Sequence, residues 1–311
     1  MSSDTYVIER ESEYYPESLL DLPKPPELIY LKGNPEVLSR DCISAIGARK
    51  STPYGEAVSE LVGRVAADCE LVLVSGGAMG CDYAAGIAAL NAGGTSVVVA
   101  GCGADRVYPS SSRELFERCI ATGGAVVSLE KWGTPPAKHT FPKRNHIIAA
   151  LSKAVVIAEA GLPSGTFQTA TVASEIGRDI LCVPGSIFSP SSRGTNALIE
   201  DGAAIVPDEE ALEVLISLIY KRPRLVIEGS DPVHGRVISA LIADPMRPED
   251  LARKLGCNVL TVLRTLADNE SAGLVVRLAD GRYSPTKTLL LKRDDTKRRA
   301  RLGVIAERSK T

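Results

Sequence analysis

The chain has 311 residues, 44% of them hydrophobic and 24% charged, which supplies enough apolar mass for one large domain or two unequal ones. Its formal net charge is −2, which excludes binding to a polyanion through bulk charge; a nucleic-acid site has to be a local basic patch. No run reaches the ~20 apolar residues of a membrane span, no basic-then-apolar leader is evident, and none of the seven cysteines forms a CxxC, so a reduced, cytoplasmic protein is expected.

Charge is unevenly spread along the chain. Residues 1–30 carry seven acids against two basic residues and read as an N-terminal extension. Residues 287–311 form a basic C-terminal tail, either a polyanion contact or a solvated end. Between them, from residue 43 onward, short apolar runs recur: ISAIG (43–47), LVLVS (71–75), SVVVAG (96–101), AVVSLE (125–130), AVVIAEA (154–160), ILCVPG (180–185) and AAIVP (203–207). They are rich in Val and Ile without polar alternation, which is how strands buried on both faces read. Helix-like stretches separate them; the first, PYGEAVSELVGRVAAD, has Ser51 or Thr52 as its N-cap and Pro53 at its first helical position. Repeated strand–helix alternation predicts an α/β fold, a Rossmann-like parallel sheet over residues 31–221 with helices on both faces. Its ligand crevice belongs at the carboxyl ends of the strands.

After a linker at 222–232 the texture changes. VHGRVISALIADPM and RPEDLARKLG, the latter stopped by Gly256, read as helices; NVLTVLRTLADNES, capped by Asn258, reads as a third. LVVRLADGRYSP then turns at Asp280-Gly281. Three helices and a hairpin predict a small C-terminal winged-helix domain over residues 233–286. Its third helix offers Arg264 as its one cation and also carries Asp268, a poor complement for reading duplex bases, so it suits a protein contact or an autoregulatory role better, with a stabilising appendage as the alternative.

The chemistry concentrates in the loops after the strands. SGGAMGCD (75–82) follows a buried strand and opens a helix, so Ser75, Gly76, Gly77 and Gly80 bring backbone amides and a helix N-terminus to the crevice. It is neither G-x-G-x-x-G nor a Walker A loop, so a nicotinamide cofactor or ATP is unsupported and no cofactor is expected. A tight turn explains its glycines as well as anion binding does. GARKST (47–52) places Arg49 and Lys50 at another helix start. GCGADRVYP (101–109) follows the next strand. KHTFPKRNH (138–146) gathers Lys138, Phe141, Lys143, Arg144 and Asn145, and GLPSGTFQTA (161–170) supplies Ser164, Gly165 and Thr166. Cations, amides and an aromatic ring converging on one sheet edge suit a strand of nucleic acid, with Phe141 stacking on a base. The alternative at single positions is a core Phe141 and a structural Arg144. No metal-ligand spacing or nucleophile–base set is present. Cys81, at a helix start, has no oriented base beside it.

GARKSTPYG (47–55), SGGAMGCD (75–82), GCGADRVYP (101–109), FPKRNHIIAALS (141–152), EAGLPSGTFQTA (159–170), GRDILCVPG (177–185) and GTNALIEDGA (194–203) occur in one order and spacing that resembles the DNA-processing protein A family (DprA, also called Smf). The resemblance implies an extended Rossmann domain that binds single-stranded DNA, acts as a homodimer, hands DNA to a RecA-type recombinase in natural transformation, and has no enzymatic activity. It implies phosphate contacts for Arg49 and Lys138 and base packing for Phe141, with Arg144 and Asn145 at the core of the same motif. His146 stands where the family repeats arginine, SGGA replaces SGLA, and SSSRE follows Tyr108-Pro109, so modest affinity per protomer is expected. The competing class is an enzyme like the LOG-type nucleotide N-glycosidases, for which Ser164, Gly165, Thr166 and Glu175 are only loosely arranged. A third class is a nucleotide-sensing scaffold.

Overall fold

The computed structural model describes residues 4–221, 244–255 and 258–290, with Val237, Ala240 and Leu241. The chain divides into two compact units at Leu225–Val226. The linker at 222–232, most of the helix expected from residue 233, Gly256, Cys257 and residues 291–311 of the basic tail lie outside the described residues.

The first unit is built on nine strands: β1 (Thr5–Glu9), β2 (Leu28–Gly33), β3 (Cys42–Ile46), β4 (Val72–Ser75), β5 (Thr95–Ala100), β6 (Ala125–Ser128), β7 (Ala154–Ile157), β8 (Asp179–Cys182) and β9 (Ala204–Ile205). They lie in the order β1-β2-β6-β5-β4-β3-β7-β8-β9. From β6 to β9 every pairing is parallel; β2 joins β6 antiparallel, and β1 joins β2 antiparallel. The stretch read as an N-terminal extension therefore supplies the edge strand β1 and the start of β2 beside it, and Tyr15, Leu19 and Leu22 between them enter the core. Thr5, Val7 and Glu9 of β1 face solvent on an edge, where no second buried face is required.

The central strands are buried at every position because successive side chains enter opposite layers. Cys42, Ile46, Val72, Val74, Val155 and Ile157 enter one core; Ile43, Ala45, Leu71, Leu73, Ala154 and Val156 enter the other. Burying each aliphatic side chain contributes about 1.5–3 kcal/mol. Helices α1 (Pro53–Asp68), α2 (Cys81–Asn91), α3 (Arg113–Ala121), α4 (Thr140–Leu151), α5 (Thr166–Glu175), α6 (Arg193–Glu200) and α7 (Glu209–Tyr220) connect and flank the strands. Thr52 caps α1, its side chain accepting from the Gly55 amide at 3.1 Å. The order runs outward from β3 to β6, then jumps back across to β7. The switch point thus lies between β3 and β7, and the following loops open onto the carboxyl end of the sheet.

In the second unit α8 (Pro248–Leu255), α9 (Val259–Ser271) and a hairpin of β10 (Val275–Arg277) and β11 (Tyr283–Pro285) surround a core of Leu241, Leu251, Val262, Leu266 and Leu289. Asn258 caps α9 through the Leu260 amide at 2.8 Å. Gly281, with φ of 85°, turns the hairpin. Helix followed by two-stranded wing is the winged-helix arrangement.

Candidate nucleic-acid interface

The glycine loop after β4 is closed on itself. The Gly76 amide donates to Asp82 Oδ2 at 2.9 Å, and the amides of Ala78 and Gly47 also point at that carboxylate. The Gly77 amide donates to Ser75 Oγ at 3.2 Å, and Ser75 is fully buried. The loop thus builds a nest for an anion, and the protein's own Asp82, from the first turn of α2, occupies it. Burial pushes the Asp82 carboxyl upward, while Arg144 and the three amides pull it back. Gly77 and Gly80 take positive φ, 62° and 81°, to turn the chain there. The expectation that Ser75, Gly76 and Gly77 present free donors to a ligand is corrected: those groups are satisfied internally. Cys81 is buried in the same turn, and burial lifts its thiol to about 12, the opposite of activation by a helix N-terminus.

Arg144, expected among the DNA-binding residues with a structural role as the alternative, takes the structural one. It is 6% exposed, and its Nη1 donates to the Gly76 carbonyl at 2.5 Å and to the Val99 carbonyl at 2.7 Å. Any side chain at position 76 would collide with the guanidinium, which is why glycine is required there. Desolvation holds the Arg144 pKa down at about 10 against the pull of Asp82. One guanidinium therefore ties α4 to the ends of β4 and β5.

What remains open is a rim built on that support. Arg49 and Lys50, after β3, are exposed. The Arg49 guanidinium carbon lies 5.3 Å from the centre of the Phe141 ring, and that of Arg144 lies 5.9 Å from the same ring. Phe141 is half-buried and rests against Gly101, at the end of β5; Thr140 Oγ1 anchors the turn by donating to the Gly101 carbonyl at 2.5 Å. Tyr108, 43% exposed, packs its ring 5.7 Å from Phe141, at 44°. Lys138 and Lys143 are exposed on either side of Phe141, His139 and His146 are exposed as well, and Asn145 is half-buried beside them. Ser164 Oγ accepts from the Thr166 amide at 3.2 Å and meets Thr166 Oγ1 at 2.9 Å, bracing the start of α5 with Gly165 exposed. Glu175 lies in the last turn of that helix, about 15 Å of helical rise from Gly165, too far along it to stand over the loop.

Two residues that no motif reasoning singled out complete the frame. Glu159 is 2% exposed; its carboxylate accepts from the Thr52 amide and hydroxyl, both at 2.8 Å, and its carbonyl accepts from the Ala48 amide at 2.8 Å. It locks the β3 and β7 loops together across the switch point, holding the backbone that carries Arg49. The sequence signal was an acid ending an otherwise apolar strand run. Tyr108, the second, sat in a quoted motif without a role.

A doubly wound sheet with an aromatic and cationic rim at its carboxyl end, followed by a winged helix, defines a DNA-processing class of protein. Its sequence places it within that class: residues 6–217 match the model of the DNA recombination-mediator protein A family, and residues 222–281 match that of the DprA winged helix domain. The chain belongs to that family. It is 32% identical to Protein Smf of Escherichia coli K12 over 89% of this chain and 76% of that one, and 38% identical to the DNA processing protein DprA of Streptococcus pneumoniae over 62% and 67%. The crystal structure of the S. pneumoniae protein superposes with a TM-score of 0.63 at 34% identity, covering 68% of this chain and 74% of that one. A Helicobacter pylori DNA processing protein A, described for its single-stranded DNA binding mode, superposes with a TM-score of 0.63 at 27% identity, covering 71% and 98%.

Proposed function

We propose that the chain binds single-stranded DNA along the carboxyl end of the sheet and delivers it to a RecA-type recombinase, acting as a cytoplasmic homodimer in DNA recombination or natural transformation. The observation that carries this reading is the cluster of exposed Arg49 and Tyr108 around the half-buried ring of Phe141. A guanidinium beside an aromatic pair offers a phosphate contact next to a stacking surface, the pairing that a single strand rewards. A duplex keeps its bases stacked on each other and cannot use the ring. The H. pylori neighbour and the recombination-mediator family model support the same reading.

On this reading the residues divide by role. Arg49, Lys50, Lys138 and Lys143 neutralise phosphates and release counterions. Phe141 and Tyr108 receive a base, and Asn145, Ser164, Gly165 and Thr166 border the track. Ser75, Gly76, Gly77, Gly80 and Arg144 act from behind, fixing where Phe141 stands. The test is fluorescence anisotropy of labelled single and double strands of equal length, across a salt titration, for the wild-type chain and for Arg49→Ala combined with Lys138→Ala. Preference for the single strand that collapses in the double variant supports the reading. Binding indifferent to both substitutions removes it.

A further inference from the structure

The two most exposed large hydrophobic side chains of the described residues lie together: Ile187, 77% exposed, and Phe188, 83% exposed. They sit in the loop between β8 and α6, on the same carboxyl end of the sheet as Arg49 and Phe141. The loop is tied down rather than loose. The Gly185 amide donates to Asn196 Oδ1, and Asn196 Nδ2 donates back to the Gly185 carbonyl, both at 3.1 Å. The Gly194 amide donates to the Ala160 carbonyl at 2.7 Å, fastening the far side of the loop to the end of β7. At the tip, the Phe188 amide donates to Ser186 Oγ at 3.3 Å and the Ser189 amide to the Ser186 carbonyl at 3.0 Å. A braced turn therefore holds two apolar side chains out into solvent.

This tip is continuous with the rim. Tyr54, four residues after Lys50, donates its hydroxyl to the Pro184 carbonyl at 2.8 Å. Glu159 joins Thr52 to the β7 loop, where Leu162 is 54% exposed, and Gly161 of that loop packs against the Pro190 carbonyl. From the end of β5, where Phe141 stands, the order β5-β4-β3-β7-β8 leads to Phe188 in four strand steps, about 19 Å at the usual inter-strand spacing. Residues 183–196 contain no acid and one arginine, Arg193, which is exposed. The acid of the intervening loop, Glu159, is buried and bonded. No carboxylate of either loop repels a phosphate backbone along this path.

We infer that Phe188, flanked by Ile187, is a second base-stacking platform of the same single strand, so that one protomer's track runs from Tyr108 and Phe141 across Arg49 to the β8 loop. This rests on the proposed function above, whose failure the experiment separates. The occupant is a nucleobase: a stacking surface is sequence-tolerant and needs neither hydrogen-bond donors nor charge, which is what the tip presents.

The test compares Phe188→Ala, Phe188→Trp and Arg49→Ala on the full chain, using oligo-dT strands of about 4 and about 16 nucleotides, the range single-strand binders occupy. For the long strand, Phe188→Ala is expected to weaken binding about tenfold with the salt slope unchanged, and Phe188→Trp to restore it. For the short strand, which spans the Arg49–Phe141 cluster alone, the same substitution should leave affinity unchanged. Arg49→Ala should weaken both and flatten the slope. Loss confined to Arg49→Ala, with Phe188→Ala binding both strands like wild type, overturns the second platform and leaves the DNA site standing. A sedimentation shift in Phe188→Ala with unchanged DNA affinity overturns it in favour of a contact between copies. Binding unaffected by Arg49→Ala overturns the underlying DNA site itself.

Discussion

The loop after β4 and the rim around Phe141 lie side by side at one end of the sheet, and in the sequence both look made for an anion. In the fold they are opposites. The glycine loop has its amides filled by Asp82 and its carbonyl at Gly76 filled by Arg144, so it is a closed internal joint. The rim has exposed cations and two tilted rings with their faces partly free. The lesson is that a glycine-rich strand-to-helix turn says only that backbone comes close to something; what that something is depends on whether an acid of the chain reaches the nest first. Here a carboxylate seven residues after Ser75 does, and the ligand surface moves one layer outward, onto side chains that the closed joint holds in place.

If the joint is structural, breaking it must cost stability before it costs binding. Arg144→Ala leaves Asp82 buried without its counter-charge and two carbonyls without their donor, and is expected to lower stability by about 3–5 kcal/mol. A denaturant midpoint followed by far-ultraviolet circular dichroism measures this; a wild-type midpoint would mean the guanidinium is not part of the scaffold. Phe141→Ala tests the other region. The ring is half-buried and its expected loss appears in single-strand affinity, about 1–3 kcal/mol at every salt concentration. A variant that binds normally but melts early would place Phe141 with the joint instead of the rim. Next in size, Arg49→Ala should leave the melting midpoint within about 0.5 kcal/mol of wild type, because the residue is exposed. It should reduce the slope of log affinity against log salt by about 0.7, one phosphate of a single strand.

The parts of the fold that were legible share one property. Strands β3 to β7 are buried on both faces, and uninterrupted Val-, Ile- and Ala-rich runs mark that directly. Strands β1 and β2 escaped notice because an antiparallel edge needs only the short run TYVIE with one face buried, and because the intervening acids suggested a solvated extension. In the site, Arg49, Lys138 and Phe141 were readable as residue types in a loop. A structural Arg144 stood only as an alternative, although a signal favoured it: positions 144, 147, 148 and 151 follow helical spacing, and Ile147, Ile148 and Leu151 are all buried, which places Arg144 on the inward stripe of α4. Lys143 and His146 fall on the outward one. Asp82 meets the Gly76 and Ala78 amides within its own loop, but Arg144 and Gly47, like the Thr52 partner of Glu159, lie on segments brought together only by the strand order, so no local pattern could reveal those partners.

The smallest expected effect is also the most discriminating between a closed and an open glycine loop. Cys81 occupies the first position of α2, inside the joint, with a thiol raised to about 12 by burial. A folded pKa above that of the unfolded chain means the protonated thiol is favoured in the native state. Its contribution to stability is therefore complete below the ordinary thiol value of about 8.5 and lost as pH rises toward 12. In the native protein near neutral pH, alkylation of Cys81 by iodoacetamide should be negligible, and mass spectrometry of the digested protein should find the adduct only after denaturant is added. Saturating single-stranded DNA should change nothing, since the strand lies on the rim. Rapid native alkylation that DNA suppresses would mean that the loop opens and takes a phosphate in place of Asp82, and the distinction between joint and rim would fail.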